Sequence, residues 1–336
     1  MADRSQPQQA PAFGPGQWLN SEHPLQMNDL RGSVVLVDIW DYTCVNCLRT
    51  LPYIQEWYRR YAEHGLVVIG VHAPAFEFGR ERAQVDAALQ ELDIRYPVLL
   101  DNDFMTWQAF DNHFWPSRYL IDTNGRIRHH QSGEGGYMEL EHSVQTLLRE
   151  INPNVDLPPV MEPLRPEDYP ERLRYRPTPE LRGGLQRGAL GNPEGYAGGV
   201  PILYSLPRQR QQGAFYISGA WLAETQHIAY QGSNAGIIHV PYEAAEVNAV
   251  LSPHPDTVER MLNPRAVSVE VWQDDRPIHA ERRGTDLTED GRLVVHRPRM
   301  YNLIRNPGHE RHELTLRVNT SGFALYAFSF ISTVRD

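Results

Sequence analysis

Two cysteines three residues apart, Cys44 and Cys47, are the only thiols in the chain, and they stand at the junction of a β-type run and a helical one. The run Val34-Val35-Leu36-Val37-Asp38-Ile39-Trp40 is apolar at nearly every position, as a strand covered on both faces requires. From about Val45 to His64 the pattern is helical, and His64-Gly65 supplies a stop. A cysteine at such a junction meets the unsatisfied N–H groups and the positive end of the helix dipole, which favour a thiolate. That placement lowers a thiol pKa from about 8.5 into the ~3.5–7.5 range. Cys44 is therefore expected to be the nucleophile. Cys47, one turn deeper, is the resolving thiol that attacks a mixed disulfide and releases the partner. A zinc half-site and an inert core pair are the competing readings. Zinc normally takes four ligands, there is no second CxxC, and His64, His72 and His113 are scattered. Two cysteines also exclude a disulfide framework.

Asp38 lies six residues before Cys44, inside the apolar run. Burial raises the pKa of a carboxylate there, which suits it to take the Cys47 proton during resolution, directly or through water. A solvated or backbone-bonded residue at a strand end is the alternative. Around this centre the first half alternates strand and helix patterns: a strand over Leu66 to Val71, a helix over Arg80 to Leu92, a short strand near Pro97 to Leu100 and a helix near Phe104 to Phe110. Strands Arg118 to Asp122 and Arg126 to Gln131 flank Asn124-Gly125, a strong hairpin signal, and Tyr137 to Glu150 closes the series as a helix. This predicts an α/β layer fold.

Residues 152–199 are rich in Pro, Gly and Arg and read as a linker lying against one or both domains. From about Val200, short β-type runs beginning with Ala214 to Gly219 and ending with Gly322 to Ile331 predict an antiparallel sandwich over 200–336. Residues 1–16 have no apolar segment and read as a mobile, disordered tail rather than a signal peptide. The 336 residues suit two domains. A net charge of −10 argues against a nucleic-acid partner. All 32 basic residues are arginine, which excludes Schiff-base chemistry and a P-loop lysine. No apolar run approaches the ~18 residues of a membrane helix. Cytoplasmic residence is the default expectation, and an extracytoplasmic one follows if a leader or membrane domain is missing from this chain.

The run Val37-Asp38-Ile39-Trp40-Asp41-Tyr42-Thr43-Cys44-Val45-Asn46-Cys47 resembles thioredoxin-fold proteins, in which a buried Asp precedes the first cysteine by six. Pro52 matches their helix-kinking proline, and Trp115-Pro116 matches the cis-proline loop that faces the cysteine pair. The inserted helix and strand around Arg80 to Leu100 is similar to the TlpA-like subgroup. The Tyr-Thr-Cys-x-Asn-Cys-x-Arg-Thr-Leu-Pro run resembles the C-terminal part of the DipZ family. So do Val68-Ile69-Gly70-Val71-His72, Leu99-Leu100-Asp101-Asn102-Asp103 and Arg126-Ile127-Arg128-His129-His130 followed by Gly133-Glu134-Gly135. The likeness covers roughly Gln17 to Ile331, densely in the first half.

This resemblance implies an α/β thioredoxin-like domain over 17–151 and an all-β, jelly-roll-like sandwich similar to a carbohydrate-binding module. It implies a thiol–disulfide oxidoreductase acting on protein disulfides, with no cofactor beyond the redox-active disulfide. Electrons would come from an unidentified dithiol or a membrane electron donor, and the sandwich would take a carbohydrate or partner ligand. Trp40, Trp115 and Pro116 are the expected substrate-binding positions, with Tyr42 completing an apolar rim and core packing the alternative for Trp40.

Two departures stand out: Ala73-Pro74-Ala75 replaces the family's Thr-Pro-Glu, removing an acidic residue near the cysteines unless Glu77 substitutes, and the family's upstream membrane domain is not in this sequence. Thr43 and Arg49 keep a thiol peroxidase as an alternative, and a binding module on a thioredoxin-like scaffold is another. His72 reads as a core residue and His309-Glu310-Arg311-His312 as a solvated loop after Asn306-Pro307-Gly308. Trp221, Tyr230 and Trp272 are core residues or a sugar-stacking platform.

Overall fold

In the computed structural model, which describes residues 8–335, the chain divides into two units between Glu171 and Arg172. The first is built on β1 (Gln17–Leu19), β2 (Val34–Trp40), β3 (Leu66–His72), β4 (Val98–Leu100), β5 (Ser117–Ile121) and β6 (Ile127–Ser132), in the sheet order β1-β4-β3-β2-β5-β6. Its helices are α1 (Val45–Tyr61), α2 (Arg82–Glu91), α3 (Met105–Ala109) and α4 (Tyr137–Ile151). Strands β2, β3 and β4 are parallel, β5 is antiparallel to β2, and β6 pairs antiparallel with β5. The β5–β6 turn needs Gly125, whose φ is +73°. This is the thioredoxin-like arrangement.

All seven residues of β2 are buried, and its two faces differ. Val35, Val37 and Ile39 join Ile69, Val71, Tyr119 and Ile121 in an apolar core. Asp38 and Trp40 point to the other face, where Gly70, Tyr96 and Val98 crowd together and Tyr96 meets Tyr58 of α1 edge-on at 5.8 Å. The site is therefore built over the face that is not purely apolar.

The expected mobile tail needs correction over residues 8–16; residues 1–7 lie outside the described residues. Gln9 bridges Arg126, Ala10 N donates to Gly125 O at 2.9 Å, and the Phe13 ring packs on Trp18 and Phe110. Backbone pairing and two aromatic contacts hold a segment that its composition marks as irregular. The Pro-rich stretch after α4 is also committed. Tyr53 OH donates to Asp168 at 2.7 Å, Leu164 N donates to Tyr53 OH at 2.6 Å, and Met161 N donates to Glu141 at 3.0 Å. Residues 152–171 thus brace α1 and α4 within the first unit.

Among the described residues the second unit is built of strands, with a short helix α5 (Thr257–Leu262) and a single 3-10 turn at Ala280–Arg282. Its strands are β7 (Leu181–Arg182), β8 (Ile202–Tyr204), β9 (Tyr216–Ala223), β10 (Ile228–Tyr230), β11 (Gly236–Ser252), β12 (Val267–Gln273), β13 (Arg276–Pro277), β14 (Arg292–Val295), β15 (Arg299–Val318) and β16 (Ala324–Ile331). The first part of β11 pairs with β9 and the second with β16, while β10 joins β16 to β9, so the antiparallel sheet closes over one apolar core. Two expectations change here. Asn306-Pro307-Gly308 does not end a strand: β15 continues through it, and the extra residues form a bulge where Ala244 faces Glu310 and Glu246 faces Arg305. His309 is consequently buried, stacked on Tyr175 at 4.7 Å, rather than solvated. Trp221 and Tyr230 lie in the core, and Trp272 is covered by the Arg317 guanidinium at 3.9 Å, so these three rings form no sugar platform.

Gly70 is where the site face is tightest. A Cβ there would lie 3.0 Å from Trp40 Nε1, 3.1 Å from Val98 and 3.2 Å from Tyr96. Gly70→Val is expected to cost about 1–3 kcal/mol by overpacking, read from urea unfolding of the oxidised protein. Unchanged stability would contradict this packing.

Candidate active site

Cys44 is the N-cap of α1, with extended backbone (φ −88°, ψ 112°), and its Sγ accepts a hydrogen bond from Cys47 N at 3.2 Å. The two sulfurs are joined in a disulfide with Cα atoms 5.2 Å apart. Cys44 is half-buried and Cys47 only 3% exposed. The loop that presents them is held by Cys44 N, which donates to Asp41 O at 3.1 Å. The first sulfur is thus reachable and the second lies behind it.

Asp38 is buried, paired on β3 with Gly70 and on β5 with Arg118. Its Oδ1 has no hydrogen-bond partner among the described residues. Burial pushes its carboxyl up to about 7, and the Arg118 charge works against that rise. The buried Tyr96 hydroxyl on the same face is pushed well above its ordinary value by burial and by Asp38. Arg118 was not singled out from the sequence, yet it is the one completely buried arginine among the described residues. A charged residue at one position of an apolar strand was the available signal.

Asp41 is the second missed residue. Fully buried, it accepts from Thr43 N at 2.6 Å, from the Thr43 hydroxyl and from Ala75 N at 3.1 Å, and lies 3.4 Å from His72 Nε2. Burial acts to raise its pKa, but His72, Thr43 and Ala75 outweigh that and hold the carboxyl below its ordinary value. The carboxylate beside the Ala73-Pro74-Ala75 turn therefore comes from Asp41, not from Glu77, which is exposed and pairs with Arg80 at 3.3 Å. His72 is in the core, as expected, between the rings of Tyr42 and Trp40.

The rim is smaller than expected. Trp40 is 1% exposed and Tyr42 3%, so neither presents a surface; Trp40 sits on a strand covered from both sides. Trp115 is half-buried, donates from Nε1 to Ala73 O at 3.0 Å and packs on Trp107. The Trp115–Pro116 bond is cis. Because Ser117 pairs with Ile39, Pro116 lies at the end of the sheet from which the cysteine loop leaves. Phe114, just before it, is 61% exposed and was not anticipated. No group of three or more His, Cys, Asp or Glu among the described residues could hold a metal ion, and no helix among them is long and apolar enough to cross a membrane.

Comparison with known proteins adds an independent line. Residues 8–130 match the AhpC/TSA family, and residues 178–330 match the family described as thioredoxin like C-terminal domain. The chain is similar to the thiol-disulfide oxidoreductase YkuV of Bacillus subtilis, 31% identical over 40% of this chain and 88% of that protein. It is also similar to protein DipZ of Mycobacterium tuberculosis, 35% identical over 70% of this chain. The chain belongs to the thioredoxin-like TlpA/DipZ-type family. Its matched part spans 33% of the length of the mycobacterial DipZ proteins. A solved thioredoxin-like protein in the oxidised form is 31% identical over 43% of this chain and 97% of that one, with a TM-score of 0.39.

The Asp38 environment makes a stability prediction. The folded chain binds the Asp38 proton more tightly than the unfolded chain. The stability this contributes is complete below the ordinary value of 3.8 and is lost as pH rises through about 7. Asp38→Asn stays neutral throughout. The variant should match the wild type near pH 4 and exceed it by up to about 4 kcal/mol at pH 8, measured by denaturant unfolding of the oxidised proteins. A variant no more stable at pH 8 would contradict the buried charge.

Proposed function

We propose that this chain is a thiol–disulfide oxidoreductase that exchanges protein disulfides through Cys44 and Cys47. The observation that supports it best is a half-buried sulfur capping α1, joined in a disulfide to a buried one. In the reducing direction the Cys44 thiolate attacks one sulfur of the substrate disulfide; the Cys44–substrate bond forms and one substrate thiolate leaves. Cys47 then gives its proton to Asp38 and attacks the Cys44 sulfur. The Cys44–Cys47 bond forms, the second substrate thiolate leaves, and the two thiolates take up protons from Asp38 and solvent. Two electrons pass from the dithiol to the substrate. A base with a pKa near 7 is suited to this transfer. Trp115, Pro116 and the exposed Phe114 form the substrate side, and a dithiol or membrane electron donor returns the electrons.

The peroxidase alternative is less well supported because both side chains it needs are engaged elsewhere. Thr43 is held by Asp41, and Arg49 donates to Glu134 at 2.7 Å. The second unit contains no cysteine. It serves as a separate module that positions a protein partner, and the stretch after α4 divides between the two.

Insulin reduction under dithiothreitol recycling, run beside a peroxide-consumption assay, tests this reading. Wild type should reduce insulin, Cys44→Ser should be inactive, and Cys47→Ser should accumulate a mixed disulfide through Cys44. Asp38→Asn should slow resolution about 100-fold at pH 7. Peroxide consumption without insulin reduction would favour the peroxidase, and inactivity in both would favour the scaffold. A fragment of residues 1–171 should retain turnover of a small disulfide, whereas one ending at 151 loses the Asp168 and Met161 bonds and should be less stable. An inactive 1–171 fragment would make the two units one functional body.

A further inference from the structure

Arg118 has no role in the exchange as described, although burying a guanidinium is costly unless its environment answers it. It lies directly across from Asp38 in the β2–β5 register, a position that brings Cβ atoms to about 4.5–5.5 Å. Its Nη2 donates to Gly133 O at 2.5 Å and Gly135 O at 3.1 Å, while Nε and Nη1 have no hydrogen-bond partner among the described residues. Gly133 N in turn donates to Pro116 O at 2.8 Å. One end of the guanidinium thus ties the loop after β6 to the strand that follows Pro116, and the remaining donors are left on the face that carries the unpartnered Asp38 Oδ1.

We propose that Arg118 is a positioning residue for the resolving step: it sets a buried positive charge opposite Asp38, so that this side chain is available as a carboxylate to accept the Cys47 proton. The inference rests on the oxidoreductase reading for its consequence but not for its geometry. Other groups face the pair. Asp38 acts on Tyr96 of the segment before β4, and Tyr137 of α4 and Glu134 of the loop between β6 and α4 act on Arg118. The Tyr137 ring centroid lies 5.3 Å from the guanidinium carbon. Glu134 is already taken by Arg49 at 2.7 Å, which leaves Asp38 as the carboxylate on the sheet face for Arg118 to answer.

The test is the Asp38 titration itself, followed by carboxyl ¹³C NMR in the full chain, together with single-turnover resolution against pH. Arg118→Gln keeps an amide donor for the glycine carbonyls and removes the charge; Arg118→Lys keeps the charge. The Gln variant should move the Asp38 midpoint and the resolution profile upward together by about one pH unit or more, slowing resolution at pH 7 about tenfold or more. The Lys variant should stay near the wild type. Equal midpoints in wild type and the Gln variant would overturn the proposal, as would a midpoint that rises while the resolution profile stays fixed. If the Gln variant does not fold, the wild-type titration decides: a midpoint near 7 is expected, and an Asp38 still protonated at pH 9 would overturn the role. Failure of insulin reduction by the wild type would sink the oxidoreductase reading and leave the NMR comparison a test of the charge pair.

Discussion

An α-helix begins with N–H groups that have no partner in the helix, and at the start of α1 the acceptor is a sulfur. This constraint organises the first unit. The helix needs an acceptor there and Cys44 supplies one, so whatever stabilises charge on that sulfur is built into the backbone before any side chain contributes. β2 delivers the chain to this point from inside the sheet, and Asp41 fixes the turn between them through its carbonyl on Cys44 N and its carboxylate on Thr43 and Ala75. Cys47 follows one turn later on the buried side of the helix, which separates an accessible sulfur from a protected one.

The second element is the polar face beneath the helix. One side of β2 packs in an apolar core, whereas the other places Asp38 opposite Arg118 and beside Tyr96. An apolar residue at position 38 would make a more stable sheet. The cost of keeping a carboxylate there is what raises its proton affinity toward neutrality, and a group of that strength is suited to accept a proton near pH 7.

Much of this was legible in the sequence. The apolar run ending in Asp38-Ile39-Trp40 and the CxxC at the head of a helical pattern placed the site, because a buried parallel strand and a helix start leave strong local signals. Arg118 and Asp41 escaped notice because their surroundings come from pairing between segments distant in the chain: Arg118 faces Asp38 across the β2–β5 register and reaches the Gly133 and Gly135 carbonyls, and Asp41 meets the turn after β3 at Ala75. For Trp40 the sequence leaves a rim position and core packing both open, because aromatic character says nothing about which side of a strand is covered; the ring is buried. In the second unit, Asn306-Pro307-Gly308 carries turn chemistry, yet the long pairing of β15 with β11 absorbs it as a bulge. The segments at 8–16 and 152–171 lack periodic apolar positions and are held instead by single hydrogen bonds and ring contacts, which composition does not reveal.

The central claim is that the start of α1 makes one thiol a nucleophile and leaves its partner protected. The most direct measurement is the rate of alkylation of each cysteine in the reduced full-length protein as a function of pH, resolved by mass spectrometry. Cys44 should react first at pH 6, with a midpoint below the ordinary thiol value of about 8.5, while Cys47 stays unlabelled until higher pH. Faster labelling of Cys47, or equal rates with ordinary midpoints for both, would contradict the account.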